Sequence, residues 1–271
     1  MVLRRVVAVV SGKGGVGKTT VTANLGVALF SEFERSVLLI DSNLTSSHLG
    51  IHFGLIYFPF TINSILEGET RLMNAIYRHP SGVHLLPASF NVYEEPEITY
   101  RKFSYIIRKV KNLYDFILID TAPGLGKFTK FPLRVADEVL IVMNPDVPSM
   151  LEAKKIIKIC SKLKKKIVGV VLNKVSFSKY ELSPNEIREE LKKEIIGIIP
   201  EDDLFKKSLS IREPVVFSNP FSFPSLQFKI MAANILGIKN YKPEIPIKEK
   251  IKLSFLKLFG NRIYLLENSQ F

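Results

Sequence analysis

The chain has 271 residues, a formal net charge of +12 from 38 Lys and Arg against 26 Asp and Glu, 46% hydrophobic residues and one cysteine. One cysteine excludes a disulfide framework, a thiolate zinc site and an iron–sulfur cluster held within a single chain, and no apolar run reaches the roughly 18 residues that span a bilayer. The first residues turn polar too soon for a secretory signal, so the expected location is cytoplasmic, and the cationic excess suits an anionic surface, nucleic acid or membrane.

In chain order, residues 6–10 are a β-branched run that meets a glycine-rich turn, and residues 19–30 follow with helical spacing. Further apolar runs at 37–40, 83–86, 116–119, 139–142, 167–172 and 195–199 read as strands, and 99–113, 149–163, 184–193 and 225–236 as helices. Continuous apolar strands alternating with amphipathic helices predict an α/β fold of three layers, a mostly parallel sheet covered by helices on both faces. Pro243 and Pro246 mark a linker, which predicts one domain over residues 1–238 and a linker with a basic amphipathic tail over 239–271.

Gly12-Lys13-Gly14-Gly15-Val16-Gly17-Lys18-Thr19 fits G-x-x-x-x-G-K-[ST], placed after a strand and at the opening of a helix, the context this phosphate-binding motif requires. Its glycines let backbone N–H groups turn inward on phosphates, and the helix N-terminus adds positive potential. Lys18 reaches the β- and γ-phosphates in such a loop, and Thr19 offers its hydroxyl to Mg²⁺. Lys13, at the start of a tight turn, stands where it can point away from its own nucleotide.

Lys13 through Thr20 resembles the deviant phosphate loop of the MinD/ParA ATPases. Asp41 with Asn43 resembles that family's switch I, Asp120-Thr121-Ala122-Pro123-Gly124 its switch II, and Asn144-Pro145-Asp146 the segment after the next strand. Asn173-Lys174 and Pro200-Glu201-Asp202 are similar to its adenine-side segments, so Asn173, Pro200 and Asp202 are expected to border the nucleotide. The likeness runs over residues 6–216 and favours the MinD branch. It implies a phosphate-loop NTPase fold, ATP and Mg²⁺ as cofactors, and an ATP-dependent homodimer in which Lys13 crosses to the partner's phosphates. That resembles an arginine finger supplied in trans. Gly12 to Thr20 would cradle the nucleotide, Thr19, Asp41 and Asp120 would hold the metal, and Gly124 would turn its N–H towards the γ-phosphate. The implied role is a switch that moves between cytosol and membrane, positions other components in cell division through a protein partner still to be identified, and is released by hydrolysis.

One position departs from the family. The residue two after the switch I aspartate is normally a second aspartate that positions the attacking water, and here it is Asn43. An amide can hydrogen-bond water but cannot take its proton at neutral pH. Hydrolysis is therefore expected to be slow, by ten- to thousandfold, equivalent to about 1.4 to 4 kcal/mol of barrier. Rival readings are a ParA-like ATPase that binds DNA phosphates with the lysines of residues 154–166, and a nucleotide-binding scaffold that barely hydrolyses.

The remaining features are weaker. His48 and His52 are four residues apart but lack a third metal ligand, and Cys160 lies in an amphipathic helix as core. In the tail, Ile251, Phe255, Leu256, Leu258 and Phe259 share one broad side at 100° per residue, with Lys250, Ser254 and Lys257 opposite. Such a helix suits an anionic membrane interface. Docking on the chain itself or on a protein is the alternative, because the apolar run Ile263-Tyr264-Leu265-Leu266 continues beyond the family's usual ending.

Overall fold

The computed structural model of the protein describes residues 4–44, 47–89, 100–124 and 126–247. Eight strands form one sheet: β1 (Arg5–Val10), β2 (Val37–Asp41), β3 (Tyr77–Arg78), β4 (His84–Leu86), β5 (Phe116–Asp120), β6 (Glu138–Met143), β7 (Lys166–Val175) and β8 (Ile195–Pro200). Their order is β3-β4-β2-β5-β1-β6-β7-β8, and every pairing is parallel except β3 with β4. The run Val6 to Val10 is wholly buried, as a central parallel strand with both faces covered must be.

Helices cover both faces. The larger of them are α1 (Lys18–Phe33), α2 (Ile62–Glu67), α3 (Tyr100–Val110), α4 (Lys127–Val135), α5 (Val147–Lys162) and α6 (Pro184–Leu191), followed by α7 (Asp203–Ile211), α8 (Val215–Ser218) and α9 (Phe223–Leu236). One core joins Val7, Val9, Leu39 and Leu118 of the sheet to Leu25 and Leu29 of α1 and Phe228 and Met231 of α9. The other joins Val6, Ala8, Ile40 and Ile119 to Phe103 and Ile106 of α3, Ile156 and Cys160 of α5, and Ile187 of α6. Alternate residues of one strand thus serve opposite layers, and the three-layer α/β prediction holds.

The strands and helices predicted within residues 1–238 are present, with shifted ends, whereas the tail helix lies outside the described residues. Strands β1, β6 and β7 begin one residue earlier than their apolar runs because Arg5, Glu138 and Lys166 form ion pairs there. The antiparallel β3 was not predicted, being two residues long, nor were α2, α4, α7 and α8. Helix α4 carries Pro132 in its interior, a residue that normally argues against a helix. Beyond α9, Tyr241 packs on Phe33 at 5.1 Å between ring centroids and donates to Glu32 at the end of α1. The five predicted membrane residues, Ile251, Phe255, Leu256, Leu258 and Phe259, lie outside the described residues, as do residues 263–266.

Candidate functional site

The phosphate loop leaves β1, in the middle of the sheet, and enters α1. It turns because Gly15 (φ 76°) and Gly17 (φ 88°) adopt left-handed backbone that other residues resist. Two side chains from the end of β7 hold it from beneath. The Asn173 amide donates to the Val16 carbonyl at 2.7 Å, and Lys174 Nζ donates to the Gly15 carbonyl at 2.8 Å. With those carbonyls turned down, the loop's N–H groups are free to face a cleft of about 710 Å³. Its walls come from Gly15 to Thr20, Asn43 and His48 of switch I, Ala122 and Pro123 of switch II, Gly126, Thr129 and Lys174.

Beneath this cleft, adjacent parallel strands bring two carboxylates together: Asp41 ends β2 opposite Asp120, which ends β5. Asp120 Oδ2 accepts from the Thr19 hydroxyl at 2.7 Å, whereas Oδ1 is buried without a hydrogen-bond partner among the described residues. Asp41 is wrapped by the chain that follows it. Oδ1 accepts from the Asn43 N–H at 2.9 Å, and Oδ2 from the Ser47 hydroxyl at 2.8 Å and the His48 and Leu49 N–H groups at 3.2 Å. Burial, and then the charge of Asp120, push Asp41 up to about 7 despite these donors. Burial also raises Asp120, opposed by the buried Lys18 nearby and by Thr19.

These groups fit a hard cation. An orphaned carboxylate oxygen, a second carboxylate and a threonine hydroxyl form an all-oxygen donor set of the kind Mg²⁺ shares with substrate phosphates. No group of three or more His, Cys, Asp and Glu that could chelate a metal occurs among the described residues, so the phosphates would have to complete the shell. His52 is held neutral, burial lowering it to about 4, and the His48–His52 spacing gains no further ligand. Cys160 is buried, its thiol pushed up to about 11, which makes it inert core.

Some predicted site residues stand elsewhere. Lys13 is exposed and lines a separate groove with Val147, Leu151 and Lys158 of α5. Gly12 lies so close to α5 that an added Cβ would meet Glu152 Cβ at 2.4 Å. Gly124 (φ 78°) donates to the Ser11 carbonyl at 3.1 Å, tying switch II to the base of the loop. Pro200 closes β8, and Asp202 caps α7 by accepting from the Leu204 N–H at 2.9 Å, one strand away from the cleft. Ser47, His48, Thr129 and Lys174 border or support the site without having been singled out for it. Of these, Lys174 carried a sequence signal as the neighbour of Asn173, and His48 only as half of the spaced histidine pair. The lysines of residues 154–166 are partly neutralised: Lys154 pairs with Glu190, Lys155 with Glu152 and Lys166 with Glu138.

With this geometry in hand, the AAA domain family matches residues 4–174. An ATP-binding protein of Methanocaldococcus jannaschii is 34% identical over 258 residues, covering 94% of this chain and 97% of its own. The cell division ATPase MinD of Pyrococcus furiosus is 31% identical with a TM-score of 0.82, over 87% of this chain and 100% of its own. The septum site-determining protein MinD of Pyrococcus horikoshii, solved with Mg-ADP, is likewise 31% identical with a TM-score of 0.82, over 89% and 99%.

Proposed function

This chain belongs to the MinD/ParA family of ATPases, and from that premise we propose that it is a Mg·ATP-dependent dimerisation switch that associates reversibly with a membrane. In this reading it works in the cytoplasm and at the inner membrane surface, and helps to position other components during cell division. The observation that carries the proposal is the division of labour between the two loop lysines. Lys18 is buried at the floor of the cleft, and Lys13 is exposed on the far side of the loop against α5. A cation placed there is of no use to its own nucleotide but is available to a second subunit facing the groove.

Within one subunit, the N–H groups of the loop and Lys18 bind the phosphates. Thr19, Asp120 and Asp41 would hold Mg²⁺, which supplies charge neutralisation of the phosphate oxygens. Asn43 borders the cleft and would orient the attacking water through its amide, without accepting a proton. Positioning carries most of the catalysis in phosphoryl transfer, so slow hydrolysis is retained. Residues 251–259 would supply the membrane contact, two weak helices in one dimer gaining by effective concentration.

Light scattering with a non-hydrolysable ATP analogue, Mg²⁺ and anionic vesicles tests this. A doubled mass with the analogue but not with ADP is expected, together with sedimentation on vesicles that needs the analogue. A mass unchanged by the analogue would remove the switch. Strong salt-dependent DNA binding in place of vesicle binding would move the protein to the ParA-like reading.

A further inference from the structure

The opposite margin of the sheet carries a feature that nucleotide chemistry does not use. Among the described residues, strand β8 is the last in the order and pairs only with β7, so one flank of its backbone lacks a strand neighbour there. Folded proteins normally cover such a flank. A side chain covers part of it: Asn234 of α9 donates to the Ile196 carbonyl at 3.0 Å. Between β8 and α9 runs a groove of about 330 Å³ that follows residues 194–198. Ile230 and Ile238 line it, and Ile238 is 40% exposed. Gln227 lines it too, is only 5% exposed, and its Nε2 is buried without a hydrogen-bond partner among the described residues. A buried amide donor left unmatched costs about 1 to 3 kcal/mol, and here it borders a groove that runs along an open strand flank. A peptide carbonyl is the complementary group.

We propose that this groove takes residues 263–266 of the same chain, Ile-Tyr-Leu-Leu, as an added edge strand on β8. Three arguments select this occupant. The segment is β-branched, aromatic and apolar, the composition that suits a half-buried strand. Its alternation would set Ile263 and Leu265 on one side and Tyr264 and Leu266 on the other, so that one pair covers Ile230 and Ile238. Its reach is sufficient: the fifteen residues 248–262 that join it to the described chain extend to about 50 Å at most. Being covalently attached, it competes at an effective concentration on the order of millimolar against any free peptide. Backbone pairing with β8 supplies the affinity, and the Gln227 amide finds a carbonyl. The inference does not depend on membrane binding or on dimerisation.

Two experiments on the full-length protein, without nucleotide or vesicles, decide it. The first compares hydrogen exchange of the wild type with the double variant Ile263→Asp, Leu265→Asp, which changes no described residue. Amides of residues 195–198 are expected to exchange at least tenfold faster in the variant, and equal rates would overturn the proposal. The second joins Ile230→Cys and Leu265→Cys with a short bis-maleimide, the buried Cys160 remaining unreactive. An intrachain link is expected. An interchain link would give the groove to a second copy, and no link would leave it to a foreign partner; either result overturns the assignment.

Discussion

The two ends of the sheet both bury charge, and they do so in opposite ways. At the N-terminal end of the strands Glu138 lies between Arg5 and Lys166, and Arg5 also donates to the Ile235 carbonyl. Each charge there meets its opposite. At the C-terminal end Asp41 and Asp120 face each other, both are raised by burial, and one oxygen has no partner. An arrangement of the first kind keeps a fold together. One of the second kind costs stability and is tolerated where a ligand will later balance it. The comparison teaches where to look for chemistry in this molecule: at the end of the sheet where the charges do not add up.

Four measurements would break or sharpen that contrast. The largest effect is expected from Lys18→Ala, which removes the cation of the deficient end. ATP turnover should fall by about a thousandfold, equivalent to roughly 4 kcal/mol, while the thermal midpoint moves little; near-normal turnover would dissolve the assignment. Next is Glu138→Gln at the balanced end, which leaves the half-buried Arg5 without its counter-charge. A loss of about 2 kcal/mol in denaturant unfolding is expected, with nucleotide affinity unchanged. Third, Asn43→Asp should raise single-turnover hydrolysis about tenfold, since a carboxylate can accept the proton that an amide cannot. A rate that stays the same or drops would show that Asn43 is not what slows the enzyme.

The smallest effect concerns pH. A carboxylate whose folded pKa is raised favours folding below its unfolded value, and that contribution is lost as pH rises through the folded pKa. For Asp41 the window runs from the ordinary 3.8 to about 7. Asp120 faces Asp41 across the two strands, and the exposed His48, which lines the cleft, acts electrostatically on Asp120. The nucleotide-free protein should therefore lose about 1 to 2 kcal/mol between pH 6 and pH 8 relative to Asp41→Asn, and Mg·ATP should cancel the difference. Parallel pH profiles of the two proteins in denaturant titrations would contradict this.

How much of this was legible in the sequence follows from how local each feature is. The phosphate loop is contiguous, so its glycines, Lys18 and Thr19 could be read directly, and the strands were visible because a buried parallel strand is apolar throughout. The contact of Thr19 with Asp120 spans 101 positions and depends on strand order, which composition does not encode. The wrapping of Asp41 by Ser47, His48 and Leu49 depends on the path of a loop without periodicity. Helix α4 was hidden by Pro132, and the ends of β1, β6 and β7 by charged residues whose partners sit on neighbouring strands. The two carboxylates could be suspected one at a time. Their mutual destabilisation could be seen only in three dimensions.

The props beneath the glycine turn have a kinetic corollary. Because Asn173 and Lys174 already hold the Val16 and Gly15 carbonyls, the cradle needs no rearrangement before a triphosphate arrives, and little ordering entropy remains to be lost at that moment. Capture should then follow a single exponential whose rate climbs in proportion to ATP without levelling off. An added Cβ on Gly17 would strike the Asn173 amide at 2.2 Å, so even alanine there would dislodge the prop and convert a ready receptor into one that must first reassemble.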